Sequence, residues 1–174
     1  MPLRIRPEDG NEAQTVKVVL LGESGVGKSS LALRFVTNEF KPYSEATIGA
    51  SFMSKTVLVP PDNLQGEVQD DLEETPRKIA FKIWDTAGQE KYACLAPMYY
   101  RGAGAAVLVY DICKAASFET LKRWVQELRC NGPPNIVIAV CGNKYDLAEQ
   151  YRQVDADVAR KYSESINATF YEAR

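Results

Sequence analysis

The chain contains no histidine, and its four cysteines, Cys94, Cys113, Cys130 and Cys141, are scattered without any CxxC spacing. A metal centre built on histidine or paired thiolates is excluded, and a disulfide framework is not expected; the pattern fits reduced thiols in cytosol. Nor is there an excess of either charge: 21 Lys+Arg stand against 23 Asp+Glu. No global field therefore recruits nucleic acid or an anionic membrane, and partners must be sought in local features. Long apolar runs are missing as well. The longest, AAVLVY and IVIAVC, are strand-sized and far short of a membrane span. The opening MPLRIRPEDG lacks the apolar centre of a signal peptide, Met-Gly is absent at the start, and the last residues, YEAR, include no cysteine to prenylate. A cytoplasmic chain is the expectation.

What is present is an alternation. At 174 residues the chain is long enough for one domain with a sizeable core. Apolar, β-branched runs predict strands at 16–21, 51–59, 78–84, 105–110, 135–141 and 168–171, and helical patterns fall at 28–37, 117–130 and 155–165. Strands alternating with helices imply an α/β fold, a central sheet with helices on both faces. Phe118, Leu121, Trp124, Val125 and Leu128 share one face at 3.6-residue spacing, with Ser117 as the expected N-cap. Residues 1–14 read as a flexible leader and 15–174 as the folded domain. Between the second and third strands, residues 60–76, PPDNLQGEVQDDLEETP, carry many Asp and Glu and no Lys or Arg. They read as a solvated hairpin insertion, either a tolerated surface loop or an acidic hook for one partner.

GESGVGKSS, residues 22–30, directly follows the first strand and opens the first helix. Glycines here make a tight turn or a phosphate cradle. Gly22, Gly27, Lys28 and Ser29 satisfy GxxxxGK[ST] in the strand–loop–helix context that the cradle requires. Backbone N–H groups and the helix N-terminus would face phosphate oxygens, Lys28 would supply a point charge, and the Ser29 hydroxyl is placed to ligate Mg²⁺. Ser24, Gly25, Val26, Gly27, Lys28, Ser29 and Ser30 are thus the candidate phosphate contacts.

A second element, WDTAGQE at 84–90, ends the third strand. Asp85 at a strand terminus beside a phosphate loop can hold Mg²⁺ through water, Gly88 lets backbone approach a γ-phosphate, and Gln89 can orient an attacking water. A third, GNKYD at 142–146, follows the fifth strand. Asp146 can accept two hydrogen bonds from the N1–H and exocyclic amine of guanine, which adenine does not offer, and Asn143 and Lys144 would brace the base and the phosphate loop. Each of the last two elements alone is also an ordinary polar turn. In this order and together, they point to GTP.

With these motifs the chain resembles the small GTPases of the Ras superfamily, and more narrowly the Rab proteins. The Rab-like stretches are TIGASF (47–52), KIWDTAGQEKY (82–92) and YYRGA (99–103). GESGVGKSS and LAPMYYRGAGAAVLVYDI are similar to the fifth, early-endosomal subfamily. The resemblance implies a P-loop NTPase G domain with a mostly parallel sheet. It further implies that Thr47 reaches Mg²⁺ and the γ-phosphate, and that Phe52, Trp84 and Tyr99 form the aromatic triad through which effectors sense the nucleotide; ordinary core packing is the other reading of those three. Gln89 and Lys28 would be the catalytic pair, and Mg²⁺ would sit on Ser29, Thr47 and Asp85.

The chain departs from the family in three places. Gly25 stands where relatives usually carry alanine, the insertion lengthens a hairpin, and the sequence stops at FYEAR, before the family's last guanine loop, final helix and cysteine tail. The expectation is therefore a domain lacking its final helix, reaching membranes only through a prenylated tail that this chain does not contain. The implied activity is a slow GTP-hydrolysing switch of endosomal vesicle traffic, served by effectors, an exchange factor and an activating protein. A small-molecule P-loop kinase would need an arginine-rich lid that is not visible; a truncated pseudo-GTPase is the other alternative.

Overall fold

The computed structural model describes residues 13–60, 76–88 and 96–174. The leader before residue 13, most of the acidic insertion and Gln89 lie outside the described residues. The elements run β1 (Gln14–Leu21), α1 (Lys28–Thr37), β2 (Ala50–Val59), β3 (Arg77–Thr86), α2 (Ala96–Tyr100), β4 (Ala105–Asp111), α3 (Ala115–Asn131), β5 (Val137–Asn143), α4 (Ala148–Tyr151), α5 (Ala156–Ser165) and β6 (Thr169–Glu172), with a 3₁₀ turn at Tyr145–Leu147.

The six strands form one sheet in the order β2-β3-β1-β4-β5-β6. Only the β2/β3 pair is antiparallel; β1 pairs in parallel with β3 and β4, β4 with β5, and β5 with β6. Because successive side chains of a strand point to opposite faces, β1 feeds two cores at once. Val19 and Leu21 join Leu108, Tyr110 and Val140 under Phe118, Leu121, Val125 and Leu128 of α3 and Ala159 of α5. Val18 and Leu20 pack with Ile83 beneath Ala32 and Val36 of α1. Helices thus cover both faces, as the alternating pattern predicts.

On the α1 side the cover is incomplete. The register carries the row of Leu20 through Val107 and Ala139 to Thr169, and Val137 and Tyr171, which share that face, are 63% and 69% exposed.

Helix α3 buries the expected stripe but begins two residues earlier than its periodicity suggests, and Ser117 is not its N-cap. Lys114 holds that position. The first N–H, of Ala115, is instead satisfied by the Gln153 side chain at 3.1 Å, 38 residues away. Ser117 Oγ accepts the Asp111 N–H at 3.0 Å, locking the end of β4 rather than starting a helix. For α5 the local rule holds, since Asp155 accepts the N–H groups of Asp157 and Val158. Helices α2 and α4 and the 3₁₀ turn went unanticipated because three to five residues are too few to display a period.

Leu121 is fully buried on the face of α3 that packs against the sheet. Truncation to alanine should cost about 2–5 kcal/mol. Urea unfolding of Leu121→Ala, with the midpoint falling and the slope unchanged, checks the placement of this core.

Candidate functional site

The carboxyl ends of β1, β3, β4 and β5 converge on one edge of the sheet, where ligands of open α/β sheets bind. There a cleft of about 850 Å³ opens, lined by the loop after β1, by Thr47 and Gly88, and by Asn143, Lys144 and Asp146. Three stretches separated by tens of residues meet in it.

Two glycines make the meeting possible. Gly27 has φ 98°, and a Cβ there would lie 2.2 Å from Asn143 Nδ2. That close approach lets Asn143 donate to Val26 O at 2.8 Å, so the polar turn after β5 is pinned directly to the loop after β1. Gly88 presses on the same loop from the other side; a Cβ on it would come within 2.3 Å of Ser24 N. Gly25, by contrast, has open space around it and φ 79°, a left-handed conformation that an alanine would adopt only with strain.

Lys28 opens α1 and turns back into the loop, where its Nζ donates to Gly22 O and Glu23 O, both at 2.9 Å. It is only 5% exposed. Burial pulls its pKa down to about 8 against the opposing charges of Asp85 and Glu23. Asp85 is buried more completely, at 1% exposure. Burial raises its pKa, opposed by hydrogen bonds from Ser29 and Ser51 and by the Lys28 charge. Its Oδ1 finds no hydrogen-bond partner among the described residues. An orphaned buried carboxylate oxygen is costly unless something cationic meets it.

Ser29 Oγ and Thr47 Oγ1 lie 2.8 Å apart, and Ser29 also bonds Asp85. Two hydroxyls and a carboxylate are hard oxygen donors that suit a Mg²⁺ ion keeping some of its waters. The residues present therefore fit that ion.

At the other end of the cleft, Lys144 takes a left-handed φ of 69°, and its Nζ lies 2.6 Å from Asp111 Oδ2. It braces the turn after β5 to the end of β4 rather than to the loop after β1; of the two residues, Asn143 reaches the latter. Asp146 is exposed, so the buried carboxylate that base selection requires would be buried by the base itself. The loop is held from behind. Tyr145 N donates to Ala173 O at 2.9 Å and Ala173 N to Gly142 O at 2.8 Å, while Arg152 forks onto Glu172 at 2.6 and 3.1 Å.

Several contributors escaped the sequence reading. Phe40, 59% exposed, lines the cleft; an aromatic within the polar stretch NEFKPYSE was its available signal. Asp111 shows its role only through its contacts, with Lys144 and with Cys113 N at 2.8 Å. Glu23, tied to Lys114 of the turn before α3 at 2.5 Å, is another.

The three aromatic candidates do come together. Phe52 and Trp84 pair across β2 and β3 with centroids 5.6 Å apart, and Tyr99 of α2 lies 6.2 Å from Trp84. Phe52 is 54% exposed, so this cluster is a surface and not only core. It sits one residue before Asp85, on the opposite face of the strand.

The model of the Ras family matches residues 17–174. Ras-related protein Rab-22A of Homo sapiens is 52% identical over 157 residues, which cover 90% of this chain and 73% of that protein. Ras-related protein Rab5A of Oryza sativa subsp. japonica is 48% identical over 163 residues, 94% of this chain and 72% of that one. Ras-related protein RABF2b of Arabidopsis thaliana is 47% identical over 163 residues, 94% of this chain and 74% of that one.

The lowered pKa of Lys28 makes a signed prediction. A polyphosphate in the cleft favours the ammonium form and raises the pKa above its free value of about 8. Between the two values the complex holds more protons than the free protein, so binding takes up a proton and affinity falls as pH rises through that window. Calorimetric titration of GDP above about pH 8, in buffers of differing ionisation enthalpy, should show this uptake. Lys28→Met should abolish it; uptake that persists in the variant places the titrating group elsewhere.

Proposed function

The chain belongs to the Ras family, on the branch of the Ras-related Rab proteins, and from that premise we propose that it is a GTP-binding and GTP-hydrolysing switch of endosomal vesicle traffic. The observation that carries the reading is the convergence of GESGVGKSS, DTAG and NKYD on one cleft, pinned by the Asn143–Val26 hydrogen bond.

In this reading the loop from Ser24 to Ser30 wraps the phosphates with backbone N–H groups, and Lys28 leaves its two carbonyls for phosphate oxygens. Asp146 accepts the guanine N1–H and amine, with Asn143 and Lys144 holding the base loop rigid, and Phe40 flanks the base. Ser29, Thr47 and Asp85 hold Mg²⁺, which when bound neutralises phosphate charge. Gln89 orients water for in-line attack on the γ-phosphorus; the bond to the β–γ bridging oxygen breaks and GDP leaves with that electron pair. None of the three motifs carries an arginine, so unassisted turnover is slow, on the order of 10⁻⁴ s⁻¹ as in Ras-type hydrolysis, and an activating protein completes the site in trans.

Thr47 and Gly88 report the γ-phosphate, and its loss releases both segments together. Partners then read the change on Phe52, Trp84 and Tyr99: effectors bind the GTP state, and an exchange factor reopens the cleft. In this reading residues 15–174 are the G domain, carrying the acidic insertion between β2 and β3. Peripheral association with early-endosomal membrane follows where a longer form carries a prenylated tail.

Mass spectrometry of ligand released from protein purified in Mg²⁺ buffer should find near-stoichiometric GDP or GTP. An empty protein that also refuses added guanine nucleotide would leave only an interaction module. Gln89→Leu should slow single-turnover hydrolysis by on the order of 10²-fold, the cost of a misplaced nucleophile. Unchanged hydrolysis in that variant removes Gln89 from the mechanism.

A further inference from the structure

Lys17 lies in β1, far from the phosphate loop in function although on the same strand, and the switch reading gives it no task. Two contacts of its side chain among the described residues bear on α2 and the aromatic cluster. Nζ donates to Arg101 O, immediately after α2, at 2.8 Å, and it stands 4.9 Å from the centroid of the Trp84 ring. Its own carbonyl accepts the Gly104 N–H at 2.9 Å. One residue thus clasps the α2–β4 turn at both ends from the centre of the sheet.

The physical chemistry favours that clasp. The last carbonyls of a helix lack intrahelical donors, and α2 is so short that each one matters. Arg101 N and Ala103 N serve Pro97 O and Tyr100 O; Arg101 O is served by the Lys17 ammonium. The same cation lies over an aromatic face, an attraction that strengthens as water is excluded. Tyr99, within α2, is the third ring of the cluster. Any movement of α2 therefore pulls, through Lys17, on the ring at the centre of that cluster.

We infer that Lys17 is a positioning residue that couples α2 to the Trp84 ring, so that the aromatic surface offered to partners follows the position of α2. This rests on the switch reading for its trigger, but the clasp itself does not need a nucleotide. A lysine of merely structural value would stabilise the turn without affecting how Trp84 responds.

The test uses the full chain in a Trp124→Phe background, since Trp84 and Trp124 are its two tryptophans. Trp84 emission and iodide quenching are compared with GDP and with a non-hydrolysable GTP analogue bound, alongside titration with fluorescent GDP. Lys17→Met keeps the aliphatic stem and should leave GDP affinity unchanged, lose most of the emission difference between the two nucleotide states, and expose Trp84 to iodide. Lys17→Arg should restore both signals.

A methionine variant with the full emission difference and unchanged quenching overturns the proposal, as does failure of arginine to rescue. If Lys17→Met does not fold, Lys17→Gln is judged by the same criteria. A parent protein that takes up no guanine nucleotide sinks the switch reading instead. The coupling is then judged on quenching alone, which must rise in Lys17→Met for the proposal to stand.

Discussion

One hydrogen bond, from Asn143 Nδ2 to Val26 O, joins segments 117 residues apart, and the cleft depends on it. It forms only because Gly27 has no Cβ to occupy the place of the Asn143 amide. The loop after β1 and the turn after β5 are separated by a whole strand, β4, yet the bond holds them as one rigid rim. A polyphosphate and a base joined by a sugar need their two binding elements at a fixed spacing. This contact sets that spacing without help from the ligand, which reduces the ordering cost of binding.

Around this frame the site holds charge that its own residues do not fully satisfy. Lys28 and Asp85 are both buried, both shifted toward their neutral forms, and each only partly compensated by the other. Buried charges lacking full compensation destabilise a fold. A ligand that supplies phosphate oxygens to the lysine and a cation to the carboxylate settles both at once. Under the proposed function, folding, phosphate binding and Mg²⁺ binding would be coupled through this one buried pair.

Strand β3 connects this chemistry to the outside. Asp85 is buried against Ser29 and Lys28 at the foot of the phosphate-loop motif, while Trp84, its neighbour, points the other way toward Phe52 and Tyr99. The alternation of a strand places the buried carboxylate and the half-exposed aromatic cluster back to back, a single peptide apart. Lys17 adds a lateral tie from the central strand to the end of α2.

The strands, the main helices and the phosphate loop were legible in the sequence because each is written locally, in a period of two or 3.6 residues or in glycines at fixed offsets. The order β2-β3-β1-β4-β5-β6, the Asn143–Val26 bond, the Lys144–Asp111 pair and the role of Gln153 in starting α3 were not. Each of these joins residues whose separation along the chain says nothing of their distance in space. Ser117 shows the limit most directly: by local rules it is a helix cap, and tertiary contact gave that work to Gln153 and turned the serine toward Asp111. By itself, the sequence determined which chemistry is available, a cradle, an acidic strand end and an amide-lysine-carboxylate turn. Only the folded sheet decided that they share one cleft, because parallel pairing brings the carboxyl ends of distant strands to a common edge.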